Sequence, residues 1–192
     1  MKPLDESDLL DLTGYERTRE TFRTQVMAHK RHRRIAVGPQ LTFVFEDRLT
    51  VRFQVQEMLR TERIVDEDKI QAELDVYNEL IPRANELSAT LMIEIPDRDR
   101  IREMLDRLVG IDEHVLLEIG GGELRGGFDA KQFEEDRISA VQYVRFTLGP
   151  ELARSFADPT VPAALRVDHA AYTHATPLTG EVRASLIRDL AD

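Results

Sequence analysis

A chain of 192 residues that is 42% hydrophobic and 32% charged has globular rather than disordered composition, and 36 Asp and Glu against 26 Lys and Arg give it a formal charge of −10. That balance opposes broad attraction to nucleic acid or anionic lipid, which requires basic surface, and no apolar stretch approaches the roughly 20 residues of a bilayer span. The absence of cysteine excludes disulfides, thiol nucleophiles and self-supplied thiolate ligands for zinc or iron–sulfur clusters.

Met1 to Asp11 is acidic and lacks the basic, apolar and small-residue succession of a secretory signal, so the expected compartment is the cytoplasm. Thr13-Gly14-Tyr15-Glu16 has capping-box spacing and predicts a helix start, with Tyr15, Phe22 and Val26 on one stripe. The helix is expected to run to about Arg33, before Gly38-Pro39 stops it. Continuing the stripe turns His29, Lys30 and Arg33 inward and leaves Arg31, His32 and Arg34 on other sides.

Leu41, Phe43 and Phe45 alternate as a half-buried strand. The next segment reads two ways. Leu49, Val51, Phe53 and Val55 alternate as a strand would, whereas Asp47 is a good N-cap and QEMLRTERI is helical. A helix over about 48–63 is the favoured assignment. Asp66-Glu67-Asp68 places acid at a helix start, and Ile70, Leu74, Tyr77 and Ile81 form its stripe up to Pro82. In ELSATLMIEI, Leu87, Ala89, Leu91, Ile93 and Ile95 share one face of a strand, while Ser88, Thr90, Met92 and Glu94 share another that need not be dry.

Asp97 caps a helix carrying Ile101, Met104, Leu105 and Leu108, which Gly110 ends, and HVLLEI follows as a strand. Hairpin connections explain Gly120 to Gly122 and Gly126-Gly127. The run from Ile138 to Leu148 alternates, Gly149-Pro150 opens a short helix through Phe156, AALRVDH is a strand, and Thr179 caps a C-terminal helix. The expected fold is α+β and a single domain: a mainly antiparallel sheet of about five to six strands, helices packed on one face, and a helical N-terminal part.

Four constellations invite chemistry. GGGELRGG lacks the Lys-Ser/Thr of a phosphate loop and reads as turns. Glu57, Glu62 and Glu73 offer oxygen ligands, but no Glu-x-x-His pair accompanies them, and solvated or ion-paired carboxylates are the simpler reading. In DHAAYTH, an inward His169 beside Tyr172 serves as a ligand, a proton-transfer group or a hydrogen-bonded residue. The last is preferred because zinc would need a third ligand that nothing singles out. The basic run HKRHRR, 29–34, lacks the interleaved aromatics of a single-strand binder. It leaves two readings: Arg33 and Arg34 hold an anion bidentately, or Lys30 and Arg33 pair with acidic residues between 57 and 73 as a docking junction. The second is favoured.

Across YERTRETFR, KRHRRIAVGP, FEDRLTVRFQVQEMLRTERI, YNELIP, ELSATLMIEI and HAAY, the chain resembles an uncharacterised bacterial family, domain of unknown function 3501. The resemblance implies a context, since relatives tend to be encoded beside rubrerythrin-like proteins and an iron–sulfur, FAD-linked oxidoreductase. The function it points to is an accessory or interaction protein of a cytoplasmic redox or oxidative-stress system, with no cofactor of its own and no nucleic-acid or membrane partner. The alternative is a small-anion or metal-binding enzyme in whose pocket an arginine anchors the anion and a His or Glu moves a proton. The candidate ligand- or partner-binding residues are Lys30, Arg33, Arg34, Glu57, Glu62, His169 and Tyr172.

Overall fold

The computed structural model of the protein describes residues 1–128, 133–134 and 137–191. Helix α1 spans Leu12–Lys30 and starts ahead of the expected box, because the Asp11 carboxyl accepts the Gly14 N–H at 2.6 Å and takes the capping role. It also ends before Arg33, whose carbonyl accepts the Phe45 N–H at 2.9 Å. An unanticipated strand, β1 (Arg34–Val37), follows and pairs antiparallel with β2 (Leu41–Glu46). Gly38-Pro39 therefore turns a hairpin instead of stopping a helix. Gly38 has φ +69°, and a Cβ there would lie 2.5 Å from the Tyr172 hydroxyl, so only glycine fits unstrained.

Helix α2 (Arg48–Glu62) settles the ambiguous segment. The Asp47 carboxyl accepts the Thr50 N–H and the Thr50 hydroxyl accepts the Asp47 N–H, both at 2.9 Å, a reciprocal cap that no strand forms. Val51, Val55 and Leu59 then share a buried stripe with Leu74 of α3 (Glu67–Asn78), in a small core that also holds Leu4, Leu80 and Ile81.

The remaining elements are β3 (Glu86–Ile93), α4 (Ile101–Arg107), β4 (Val115–Ile119), β5 (Gly122–Arg125), β6 (Gly127–Phe128), β7 (Phe133–Glu134), β8 (Arg137–Ile138), β9 (Val141–Thr147), α5 (Gly149–Ala157), β10 (Ala163–His169), β11 (Tyr172–Pro177) and α6 (Gly180–Ala191). The α+β class and the antiparallel pairing are as expected, but the strands divide between two main sheets. One has the order β1-β2-β3-β9-β6 and the other β11-β10-β4-β5, while β7 and β8 form a separate two-stranded sheet.

The two sheets meet along both edges. At one, the Tyr172 hydroxyl donates to the Val37 carbonyl at 2.7 Å and the Thr176 hydroxyl to the Ala36 carbonyl at 2.6 Å. At the other, the chain passes directly from β5 to β6 through Gly126, where a Cβ would lie 2.5 Å from a Val144 methyl. The larger core lies inside this enclosure and contains Phe43, Phe45, Leu91, Phe146, Leu117, Leu165 and Val167, with Phe156 of α5 and Leu186 of α6. Among the described residues no helix is long and apolar enough to cross a membrane.

Candidate functional site: the outer face of the five-stranded sheet

Alternation sends Leu41, Phe43 and Phe45 of β2, and Leu87, Ala89 and Leu91 of β3, into the core, so Glu46, Ser88 and Thr90 face outward. Strand register arranges this outer face in rows. Glu46 pairs with Ser88, Ser88 with Arg145 and Arg145 with Gly127; the next row is Arg34, Val44, Thr90 and Tyr143. Although it points away from the core, much of this face is covered: Glu46 and Ser88 are 2% exposed and Glu86 is 6% exposed.

Two cavities adjoin on this floor. One of about 420 Å³ is bounded by Met27, Lys30 and Arg31 at the end of α1, Gln54 of α2, and Glu46 and Thr90 below. The other, of about 720 Å³, lies over Glu86, Ser88 and Arg145 and is walled by Glu79, Arg125 and Phe128. Register partners Glu46 and Ser88 stand one in each, so the two cavities lie side by side across the sheet as the halves of a trough.

The charges in the trough are handled unequally. Arg145 donates to the Glu86 carboxyl at 2.7 Å, and the Arg83 N–H and the Thr147 hydroxyl complete that acid's bonding. Arg34 pairs with Glu94, whose carboxyl is held below its usual range, first by the Thr42 hydroxyl donating at 2.7 Å and then by Arg34. Among the described residues Glu46 receives only neutral donors: the Thr90 hydroxyl at 2.7 Å, the Gln54 amide at 2.9 Å and the Thr50 hydroxyl. Lys30, whose ammonium lies 5.9 Å from the Phe53 ring centre, forms no ion pair among the described residues, nor do Arg31 and Arg125. The Ser88 hydroxyl makes no hydrogen bond among them.

The residues expected from the sequence separate. Lys30 and Arg34 reach the trough, whereas Arg33, 1% exposed, is locked inside the protein. Its guanidinium donates to the carbonyls of Phe45 at 2.8 Å and Glu46 at 2.9 Å, to the Ser185 hydroxyl at 3.2 Å and to both oxygens of Asp189, and it lies 3.3 Å from Asp47. With its donors used, it cannot hold a ligand anion. The expected pairing of Lys30 and Arg33 with acids between 57 and 73 is thus corrected: the partners of Arg33 are Asp47 and Asp189, the latter 156 residues away.

Burial pushes the Asp47 carboxyl up, but Arg33, the Thr50 N–H and His29 outweigh it and hold the group below its usual range. For Asp189 burial prevails over Arg33, and its carboxyl is raised. Glu57 belongs to a different contact, between α1 and α2, where it accepts both Arg19 Nε and Nη2 and the Tyr15 hydroxyl, each at 2.7 Å. The Arg19 bond is the leading reason its carboxyl sits low. Glu62 ends α2, exposed.

His169 accepts the Ala171 N–H at Nδ1, 3.2 Å away, leaving Nε2 to donate to the Val109 carbonyl at 3.1 Å. Both ring nitrogens are thus engaged within the protein. Tyr172 fastens the two sheets, accepting the Gln40 N–H at 3.0 Å while donating to Val37. Neither His169 nor Tyr172 lines the trough, and the described residues contain no group of three or more metal-ligating side chains. Sequence reasoning missed Glu46, Arg125 and Arg145. The available signal was the polar alternate face of ELSATLMIEI, which supplies Ser88 and Thr90.

The family model described as "Protein of unknown function (DUF3501)" matches residues 3–190. A solved structure described as a novel protein of unknown function from Burkholderia pseudomallei K96243 is 36% identical, with a TM-score of 0.92; the match covers 98% of this chain and 100% of that one. No curated protein matches.

Proposed function

The chain belongs to the DUF3501 family, and from the geometry of its sheet we propose that it binds a small anionic molecule in the trough, with Lys30 and Arg31 holding the anion. One observation carries the reading: buried polar groups floor an open volume bordered by Lys30 and Arg31, which form no ion pair among the described residues. A sheet face that merely meets water exposes its polar residues, whereas ligand clefts of a few hundred Å³ bury a few convergent ones. Isothermal titration with inorganic phosphate and with short carboxylates such as 4-methylpentanoate tests it. Saturable binding that weakens with added salt, and at least about tenfold in a Lys30→Ala/Arg31→Ala variant, is the expected result. Heat-silent titrations with no chemical-shift change at the trough would remove this function.

The outer side of α3 favours a second reading. Glu67, Asp68, Asp75 and Glu79 are exposed there beside Val76, which is 67% exposed, and Val65, 73% exposed, in the preceding turn. An acidic rim around apolar side chains suits docking on a basic protein surface. It supports the accessory role, in the cytoplasm, beside an iron–sulfur, FAD-linked oxidoreductase or a rubrerythrin-like protein. Copurification with either partner, lost on Asp75→Lys and Val76→Asp substitution, is the expected outcome; a chain that stays solitary at micromolar concentrations counts against it.

A further inference from the structure

We infer that the ligand of the smaller cavity is zwitterionic, an α-amino acid with an apolar side chain or a molecule ending in one, and that Glu46 receives its ammonium group. The inference rests on the anion-binding reading above and adds the second charge. Among the described residues, the other carboxyl groups at least nine-tenths buried each face an arginine: Asp47 and Asp189 face Arg33, and Glu86 faces Arg145. Glu46, 2% exposed, faces none; Arg33 binds its main-chain carbonyl and not its side chain. A buried acid without a cation is costly.

Both Glu46 oxygens are already oriented, one by Thr90 and the other by Thr50 and Gln54. A carboxylate offers about four acceptor positions, so three fixed donors leave room for one more, and Glu46 lines the cavity. An ammonium group supplies the missing cation and the missing donor together. The opposite charge is met by Lys30 and Arg31 of the same lining, which form no ion pair of their own among the described residues. The rest of the lining includes apolar, adaptable side chains, Met27, Val44 and Met92. An ammonium and a carboxylate on one carbon, with a leucine- or methionine-like side chain, offer a partner to each of the three kinds of lining: the acid, the bases and the apolar wall.

The test compares leucine with its two halves, 4-methylpentanoate, which lacks the amine, and isopentylamine, which lacks the carboxylate, by titration of the intact protein. Leucine is expected to bind at least about tenfold more tightly than either, the range of one lost charge-assisted hydrogen bond. In a Glu46→Gln variant shown by circular dichroism to be folded, the preference of leucine over 4-methylpentanoate should collapse towards one. Equal binding of leucine and 4-methylpentanoate by the wild-type protein overturns the inference and leaves the anion site standing. Equal binding of leucine and isopentylamine overturns both, and so does no binding of any of the three.

Discussion

At the scale of single residues, the molecule separates charges that hold the fold from charges left open. Arg33 serves two buried aspartates, and truncation to Ala would strand both. The expected loss is on the order of 3–5 kcal/mol, read from urea unfolding. The two acids are not equivalent. Asp47 sits below its ordinary value of 3.8, so the fold favours its charged form; Asp189 sits above 3.8, so the fold disfavours its charge. Asp47→Asn should therefore destabilise more than Asp189→Asn near neutral pH.

The same difference gives a pH signature. Stability from Asp47 is present above 3.8 and is lost as pH falls through its lowered folded value. Asp189 works in the opposite sense: as pH falls through its raised folded value towards 3.8, the folded state takes up the proton first and gains stability. Comparing urea midpoints across mildly acidic pH, the wild-type protein should gain stability relative to Asp189→Asn on acidification. A constant difference between the two would show that Asp189 does not titrate in this way.

At the scale of elements, the β1–β2 hairpin is the hinge of the architecture, because its turn is where Tyr172 of the second sheet is fastened. Tyr172→Phe leaves the Val37 carbonyl and the Gln40 N–H without that partner, and a loss of about 1–3 kcal/mol in thermal or urea unfolding is expected. Gly38→Ala combines a left-handed backbone with a contact of 2.5 Å to the same hydroxyl, and should cost at least about 1–2 kcal/mol. A double variant carrying both changes should lose somewhat less than the sum, since removing the hydroxyl relieves one contact while the His174 ring, also 2.5 Å from that Cβ, keeps the other. Strict additivity would argue that the turn and Tyr172 are independent.

For the whole molecule, the charge of −10 opposes compaction through self-repulsion, while the proposed site uses local cations. Raising sodium chloride from about 10 to 150 mM, over which the Debye length falls from about 30 to 8 Å, should raise Tm and weaken anion binding in the same samples. Opposite signs distinguish a global acidic field from a local basic site. A Tm that falls with salt would mean that the surface ion pairs, such as Arg60–Glu16 and Arg166–Glu123, outweigh net repulsion.

What the sequence determined by itself is what neighbours along the chain decide. Asp47 and Asp66 cap helices, the apolar period of α3 is set within four turns, and alternation in ELSATLMIEI assigns each side chain to a face. The α+β class follows from such local signals. Tertiary structure alone decided how the strands divide, since β1 has only four residues and is a strand because β2 lies beside it. It also decided which basic residue of HKRHRR is structural, because Asp189 approaches Arg33 from 156 residues away. Glu46 shows the limit most clearly. Its neighbours in FEDR do not reveal that it is buried, that Thr90 and Gln54 converge on it, or that among the described residues no arginine does. A period of two specifies a face, but only long-range pairing places a roof, a cavity and a counter-charge over that face.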